Sequence, residues 1–553
     1  MSIKYDASTK IFYLVGKGTT YAFFINEYGY AEHLYFGKSI GLDDLRYIRM
    51  RGSFSGFATV PGQDGPNGLN SYHHFPTEMA FFGTGDYREA MLLARGEDGF
   101  SASEMLYEGH DILDEKPPIK GMPSSRGGET LVLRLRDTRS SMACELYYTV
   151  WDDCDTVARR AVYMNTGEAK IVLERAYSFS LSLDERNYDA VSLYGAWSKE
   201  GQIERTALHH GSFCIDSKRG ASSATVNPFL VIAERNANEN FGDVYGISLI
   251  YSSSYVLKAE GTSEGRTLIT GGINDFGFAW ALEGGDSFET PEVLITFSSE
   301  GLGGMSRGLH RMLREYVISP EYVMRKRPVV INSWEGTYHD FDVEKLKRIA
   351  DGIKGTGVDT FVLDDGWFRK YKNSYTSLGD WEVNRDKFPN GLEELIDHVN
   401  SIDMSFGLWI EPEMISEDSD LYRAHPDYAI GRLGEAHCYG RHQLMLDLVR
   451  DDVRDHIVDK INGLIRQYRI TYIKWDYNRN ITEAFSYGLP KDRQGEFFHR
   501  YVLGVYDLFE RIVKANPQVF FECCSSGETG YPTDIPYWIR VRSFASVLSD
   551  VHI

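Results

Sequence analysis

The chain has 553 residues, 42% hydrophobic and 25% charged, a composition typical of a folded protein with two or three domains. Its 59 basic and 80 acidic side chains give a formal net charge of −21, which argues against binding to nucleic acid or to an anionic membrane surface. No segment approaches 18 consecutive apolar residues, so we expect no membrane-spanning helix.

The cysteines and the start of the chain bear on the compartment. Residues 1–6, MSIKYD, contain no apolar region or cleavage pattern, so we expect no secretory signal. Six cysteines are too few and too scattered for a disulfide framework. We therefore expect a cytoplasmic protein with reduced thiols.

The first 300 residues predict a large β-sandwich domain. Hydrophobic and polar residues alternate with a period of two, and Gly, Asn and Asp separate the alternating runs, as turns between antiparallel strands require. The clearest runs are 130–136, 143–151, 161–164, 171–176 and 229–233. The high aromatic content, 13%, suits either the core of such a sandwich or a surface that binds sugar rings.

A change of pattern near residue 300 predicts a helical linker over 301–327. The sequence GLGG at 301–304 ends the last strand. Leu309, Met312, Leu313 and Tyr316 then recur at helical spacing.

The remaining residues, 328–553, predict a (β/α)₈-type barrel. Strand candidates are 329–334, 360–365, 405–410, 444–447, 471–476 and 519–522; helix candidates are 343–353, 391–402, 451–468 and 496–515. Continuous apolar strands joined by helices form parallel sheets, and functional groups at the carboxyl ends of successive strands are typical of a barrel's active face. Six strands leave two of the eight unaccounted for, so we expect the barrel to be incomplete at its C-terminal end.

Carboxylates dominate these strand ends, which favours glycosidic bond cleavage. One carboxyl group can attack the sugar while another protonates the departing oxygen. His339, His425, His437 and His442 lie on separate segments without the spacing of a zinc site. The chain has no phosphate-binding loop, dinucleotide fingerprint or GxSxG motif, so we expect no metal and no organic cofactor.

Eight motifs follow one another along this half of the chain: NSWE at 332–335, LDDGWF at 363–368, SLGDW at 377–381, KFP at 387–389, GLWIEPEM at 407–414, LDL at 446–448, KWDYNR at 474–479 and FECCSSG at 521–527. This series resembles glycoside hydrolase family 36, the retaining α-galactosidases and their relatives. The resemblance extends over the β-rich half and covers nearly all of the chain up to Gly527.

The resemblance implies a role for individual residues. Asp476 matches the nucleophile of the family, and Lys474, two residues earlier in a strand, projects from the same face. Asp364 and Asp365 match the pair of carboxylates that bind the 4- and 6-hydroxyls of galactose. The complete set expected to bind substrate is Trp334, Asp364, Asp365, Trp409, Arg441, Lys474, Asn478, Cys524 and Gly527.

The segment after Gly527 departs from the family pattern. The family continues with Gly-Asn-Arg or Gly-Gly-Arg and a later Ser-Asp-Asp-Thr-Asp segment that carries the general acid/base, whereas this chain reads Glu-Thr-Gly at 528–530. Loss of one base from GGA-AAC-CGG produces that order, so we hypothesise a truncation or a reading-frame error. Asp550, in a Ser-Asp pair, is the candidate acid/base. We therefore expect low stability and little activity of the chain as it stands.

The function that the resemblance implies is removal of terminal α-linked galactose from raffinose- or melibiose-type sugars by double displacement. Three alternatives remain open: an α-N-acetylgalactosaminidase or galactosyl transferase of the same family, a sugar-binding protein without an acid/base, and an inert fragment. The resemblance also implies a homo-oligomer. Family members are often tetramers, and the candidate loop for completing a neighbour's pocket is 82–87.

Overall fold

The computed structural model describes residues 2–49, 76–184, 187–196, 199–223, 225–263, 265–370 and 375–524, and the backbone of a strand at 541–542. None of the helices within these residues has the length and apolar character needed to cross a bilayer.

The N-terminal half is built from twenty strands and carries no α-helix in its described residues. The strands are β1 Ile3–Asp6, β2 Ile11–Val15, β3 Thr19–Ile25, β4 Ala31–Lys38, β5 Leu92–Gly96, β6 Met105–Leu113, β7 Glu129–Asp137, β8 Met142–Val150, β9 Thr156–Asn165, β10 Ile171–Leu183, β11 Tyr188–Tyr194, β12 Gln202–Ala207, β13 Gly211–Asp216, β14 Val226–Glu234, β15 Val244–Leu249, β16 Tyr255–Gly261, β17 Thr267–Ile273, β18 Trp280–Leu282, β19 Ser287–Glu289 and β20 Val293–Ser298.

These strands form three antiparallel sheets. One has four strands in the order β1-β2-β3-β4, and a second has six, β13-β16-β17-β10-β18 with β5 also paired to β10. The largest has ten, β12-β11-β14-β15-β20-β9-β8-β7-β6 with β19 also paired to β9. The predicted sandwich of sheets is confirmed, and the five alternating runs lie in its strands, apart from Trp151, which directly follows β8.

The central strands of the ten-stranded sheet are buried on both faces, which explains their long apolar runs. On β14, Leu230 and Ile232 belong to the main core, whereas Phe229 and Val231 belong to a second cluster on the opposite face. Alternate residues of a strand point to opposite faces, so one strand supplies two cores.

A helix covers the second face of that sheet. Helix α1, Gly301–Met312, continues into a π-helical turn, Leu313–Val317, and is followed by the short α2, Pro320–Val323. Leu302, Met305 and Leu309 pack in the same cluster as Val231. The helix expected as a linker thus forms where the spacing predicts it, and it packs on the sandwich.

The C-terminal half alternates short strands with helices. Its strands are β21 Val330–Asn332, β22 Thr360–Leu363, β23 Ser405–Ile410, β24 Met414–Ile415, β25 Leu444–Met445, β26 Tyr472–Asp476, β27 Phe520–Cys524 and β28 Val541–Arg542. Its helices are α3 Trp334–Thr337, α4 Val343–Ile353, α5 Glu393–Ser401, α6 Asp420–Ala424, α7 Asp451–Tyr468 and α8 Phe497–Ala515.

Six of these strands form one parallel sheet, in the order β21-β22-β23-β26-β27-β28. The prediction of a barrel-type parallel sheet is confirmed, and six of its strands lie in the described residues. Two details differ from the prediction. The candidate strand at 444–447 is not in this sheet, because β25 pairs antiparallel with β24 instead. The strand β28, too short to produce a sequence pattern, supplies the sixth strand beside β27.

Candidate active site

Neighbouring parallel strands bring the predicted site residues side by side at their carboxyl ends. In the sheet register, Trp409 of β23 lies opposite Lys474 of β26, and Lys474 lies opposite Glu522 of β27. Asp476, at the end of β26, lies opposite Cys524. Because side chains alternate along a strand, Lys474 and Asp476 project from the same face.

The Asp476 carboxylate is held by two hydrogen bonds and is 7% exposed. Trp409 Nε1 donates to its Oδ2 at 3.0 Å, and the Tyr477 backbone N–H donates to its Oδ1 at 3.2 Å. The Trp409 ring is itself fixed, since it packs against Phe368 and Trp381, and its carbonyl accepts from Trp367 Nε1 at 3.0 Å. A rigid donor thus sets the direction of the carboxylate.

Asp364 and Lys474 form an ion pair beside Asp476. Lys474 Nζ lies 2.7 Å from Asp364 Oδ2, which also accepts from Asn332 Nδ2 at 2.6 Å. Burial by itself lowers the pKa of Lys474, but the negative charge of Asp364, with further electrostatic contributions from Cys524 and Asp476, raises it above its ordinary value. The lysine therefore stays charged and provides positive potential at the end of β26.

Asp365 pairs with a different cation. Arg369 donates from Nε to Oδ1 at 2.7 Å and from Nη2 to Oδ2 at 3.0 Å, and both side chains are buried. This fork geometry fixes the plane of the carboxylate, and the remaining lone pairs can accept further hydrogen bonds. The next residue, Gly366, has φ +109° and turns the chain away from the site.

Three glutamates follow or end these strands, and burial raises the pKa of each. The pKa of Glu411 and of Glu413 rises to about 8, chiefly by burial, with Asp476 adding to both shifts. Glu413 accepts from Trp475 Nε1 with both oxygens, at 2.9 and 3.0 Å. Burial also raises the pKa of Glu522, which accepts from the Tyr472 hydroxyl at 2.7 Å.

A loop bearing Arg441 is tied to the segment after the nucleophile. Arg479 Nη1 donates to the Gln443 carbonyl at 2.6 Å, and Nη2 donates to the Cys438 carbonyl at 2.9 Å. Arg441 and His442 have φ values of +53° and +60°, so the loop reverses direction there. Arg441 is exposed at this rim, and its charge acts on Glu411.

Most of the predicted residues meet at this end of the sheet. Asp364, Asp365, Trp409, Lys474, Asp476, Asn478 and Cys524 lie on the ends of β22, β23, β26 and β27 or directly after them. Trp334, half-buried, begins the short helix after β21 and packs against His339, on whose pKa Asp365 acts. Gly527 and Asp550, with the hypothesis about the segment after Gly527, lie outside the described residues.

Sequence reasoning missed three residues that support this site, Asn332, Arg369 and Gln443. It recognised Glu411 as a carboxylate at a strand end but assigned it no role. Asn332 also stands at a strand end, and this position could have identified it. Arg369 lies four residues after Asp365, a spacing that permits an ion pair. Gln443 has no such signal, because its loop is irregular.

One group within the described residues has the donor atoms of a metal site. Asp153, Cys154 and Glu315 place a carboxylate or thiol atom within 4.8 Å of one another, in the sandwich half. Both Asp153 oxygens accept from the Tyr316 hydroxyl, and burial raises the pKa of Cys154 to about 12. A metal requires the thiolate, which these surroundings disfavour.

The sequence matches two family models and several characterised relatives. A model described as melibiase matches residues 287–544, and one described as the glycosyl hydrolase family 36 N-terminal domain matches residues 29–283. Alpha-galactosidase 1 of Pediococcus pentosaceus is 37% identical over 544 residues, covering 97% of this chain and 74% of that protein. Alpha-galactosidase AgaA of Geobacillus stearothermophilus is 37% identical over 548 residues, covering 98% and 74%.

Solved structures agree with these matches. The crystal structure of the GH36 alpha-galactosidase AgaB of Geobacillus stearothermophilus has a TM-score of 0.93 at 37% identity, covering 98% of this chain and 75% of that one. A variant of AgaA in complex with raffinose has a TM-score of 0.92 at 37% identity, covering 96% and 74%. Another AgaA variant, in complex with stachyose, has a TM-score of 0.94 at 36% identity, covering 98% and 77%.

Proposed function

The chain belongs to glycoside hydrolase family 36 and is an α-galactosidase, and from this premise we propose that it removes terminal α-linked galactose from raffinose-type oligosaccharides with retention of anomeric configuration. The observation that carries the mechanism is the placement of Asp476, hydrogen-bonded to Trp409 beside the Lys474–Asp364 pair. The AgaA complexes with raffinose and stachyose support the substrate class.

In this mechanism Asp476 is the nucleophile. Its carboxylate attacks C1 of galactose, the bond from C1 to the glycosidic oxygen breaks, and an acid/base carboxylic acid transfers its proton to that oxygen. Water then attacks C1 of the covalent intermediate, gives a proton back to the acid/base, and releases galactose and the Asp476 carboxylate. Two inversions at C1 produce net retention.

Nine residues are proposed to bind the sugar. Four of them are polar groups for its hydroxyls: Asp364, Asp365, Lys474 and Asn478. The other five surround these four: Trp334, Trp409, Arg441, Cys524 and Gly527. Asp364 and Asp365 act as acceptors for hydroxyl groups, and each is oriented by its own cation, Lys474 or Arg369. A sugar that lacks the matching hydroxyl leaves a buried acceptor unpaired, which costs roughly 1–3 kcal/mol. This cost is the proposed basis for selecting galactose over its 4-epimer.

Asp550 is proposed as the acid/base, on the Ser-Asp pair at 549–550 alone. If Asp550 is the acid/base, its loss should matter most for substrates whose leaving group needs a proton. Asp550→Asn should slow cleavage of natural α-galactosides, whose leaving oxygen needs a proton, far more than cleavage of aryl α-galactosides with acidic phenols. Equal losses on both substrates would exclude Asp550 from this role.

We also propose a cytoplasmic location and a homo-oligomeric assembly. A cytoplasmic location is supported by six cysteines that are all free thiols. A homo-oligomer, with a tetramer as the expected size, is supported by the loop at 82–87, where Phe82 is 46% exposed and Tyr87 75% exposed. Sedimentation of the protein and of its Tyr87→Ser variant tests the assembly, which should weaken in the variant.

Proton NMR during cleavage of p-nitrophenyl α-galactoside tests the proposed reaction. The α-anomer of galactose should appear first and then mutarotate, and Asp476→Asn should abolish turnover. The corresponding α-glucoside should be cleaved at least about tenfold more slowly, since one lost hydrogen bond to a charged group suffices for that ratio. First appearance of the β-anomer, or unchanged turnover by the Asp476 variant, would contradict the mechanism.

A further inference from the structure

More carboxyl groups than cations gather at the site. The described carboxyl groups on the strands of this site, or just after them, are Asp364, Asp365, Glu411, Glu413, Asp476 and Glu522. The described cations are Arg369, Arg441, Lys474, Arg479 and, bonded to the Gly366 carbonyl, Lys387. Six carboxyls thus outnumber five cations, and burial favours the neutral form of a carboxyl that has no cation bonded to it.

Glu411 is distinguished from the others by its contacts. It is 1% exposed, and within the described residues it has no ion-pair partner. Its Oε1 accepts twice, from Gln443 Nε2 at 3.0 Å and from the backbone N–H of Asn478 at 2.9 Å. Glu413 differs, because within the described residues its side chain accepts from Trp475 Nε1 and bonds to neither Gln443 nor Asn478.

These two bonds join the segments that carry proposed sugar ligands. Gln443 stands two residues after Arg441, in the loop that Arg479 also binds. Asn478 stands two residues after Asp476. One carboxyl oxygen therefore fixes the Arg441 loop relative to the segment that follows the nucleophile.

We propose that Glu411 is a positioning residue that acts as an uncharged carboxylic acid, holding the Arg441 loop and the Asn478 segment around bound galactose. The inference rests on the proposed function, because it concerns the same sugar pocket. It assigns Glu411 no contact with the reacting atoms. The uncharged form lets Glu411 lie close to Asp476 without repelling it.

The titration of Glu411 agrees with this role. Burial is the main cause that raises its pKa to about 8; the charges of Asp476 and Asp365 act in the same direction, and Arg441 and the Gln443 hydrogen bond oppose them. Below that pKa the side chain is neutral; as the pH rises through it, a second negative charge develops beside Asp476. The site should therefore lose order, and with it affinity for galactose, on the alkaline side.

Calorimetry with galactose across about pH 6 to about pH 9.5 tests the proposal in the full chain, because galactose itself does not ionise in this range. The wild-type affinity should fall about tenfold over the range, equivalent to about 1.4 kcal/mol. Glu411→Gln retains a carbonyl acceptor and no ionisable proton, so it should bind like wild type at pH 6 and lose the alkaline fall. Glu411→Ala should bind at least about tenfold more weakly at every pH.

Glu413→Gln is the matched control, since it removes another buried carboxyl two residues away and should keep the alkaline fall in galactose affinity. An alkaline fall that persists in Glu411→Gln, or wild-type affinity in Glu411→Ala, would overturn the inference. Failure of the proposed function looks different, because wild-type protein would then bind galactose no better than glucose at any pH.

Discussion

At the scale of single residues, charge pairing separates two kinds of carboxyl group at the site. Asp364 and Asp365 each form an ion pair, with Lys474 and Arg369 respectively. Glu413 is fully buried and its side chain accepts from the Trp475 indole N–H, but burial dominates and raises its pKa to about 8. The ion-paired aspartates can accept hydrogen bonds from sugar hydroxyl groups, whereas the buried glutamate supports β26 through Trp475.

Glu413→Gln tests this distinction through the pH dependence of stability. An unfolded glutamate ionises near its ordinary value of 4.5, whereas folded Glu413 keeps its proton to about 8. Between these values the unfolded state binds fewer protons, so Glu413 lowers the free energy of unfolding as the pH rises, by ~3 kcal/mol at neutral pH. The melting temperature of the variant relative to wild type should rise from about pH 4.5 to about pH 8. A flat difference would contradict a neutral Glu413.

At the scale of elements, the turn after β22 positions both aspartates that are proposed to bind galactose. Gly366 follows Asp365 with φ +109°, and a Cβ placed there would lie 3.0 Å from His339 Nδ1 and 3.2 Å from Phe341 Cε1. A side chain at this position is strained by its backbone conformation and also crowded by its neighbours.

Gly366→Ala should lower the free energy of unfolding by about 1–3 kcal/mol and shift Asp365 within the pocket. We expect kcat/KM to fall at least about tenfold, since small misplacements of binding groups are costly. Gly352→Ala is the matched control. It lies in α4 with no atom within 4 Å of the new Cβ, so it should leave activity unchanged and raise stability by up to about 1 kcal/mol. Equal effects of the two substitutions would exclude a role for the turn.

Helices were the elements best predicted from sequence. The amphipathic spacing of 343–353 and 451–468 matches α4 and α7 residue for residue, because a long apolar stripe is a strong signal. The segment at 444–447 was misassigned to the parallel sheet. Its apolar run has the composition of a buried strand, but pairing partners are set by tertiary contacts, which place β24 and the segment at 429–430 beside it.

Within the site, the residues on strand ends could be predicted, and their supporting partners could not. Asp364 and Asp476 follow apolar strands whose carboxyl ends meet at one edge, so their proximity follows from the fold class. The link between Glu411 and Gln443 joins residues 32 apart through an irregular loop. No periodicity in the sequence encodes such a contact.

At the scale of the whole molecule, the sandwich and the barrel share an interface beside the nucleophile segment. The Ile481 N–H donates to the Arg219 carbonyl at 3.0 Å, so the chain just after Asp476 is anchored to the sandwich. The Tyr251 hydroxyl of the sandwich and His499 Nδ1 of α8 are hydrogen-bonded at 2.9 Å. His499 also packs against Trp280 and Phe288, and its burial lowers its pKa to about 3, so it stays neutral.

His499→Ala should therefore destabilise both halves together, by about 3 kcal/mol, because it leaves a cavity and removes the Tyr251 partner. Scanning calorimetry should show one transition that moves to lower temperature as a unit. His398→Ala, at a partly exposed site on α5, is the matched control and should shift the transition much less. Two separate transitions, with only one displaced, would contradict a shared interface.

The most direct test of the account is to trap the covalent intermediate on Asp476. The protein is incubated with 5-fluoro-α-galactosyl fluoride, whose leaving group needs no acid catalyst, and is then digested and analysed by mass spectrometry. The account predicts that the peptide containing Asp476, and no other, gains the mass of one fluorogalactosyl group and that Asp476→Asn prevents the gain. Labelling of a different carboxyl, or labelling that persists in the variant, would contradict it.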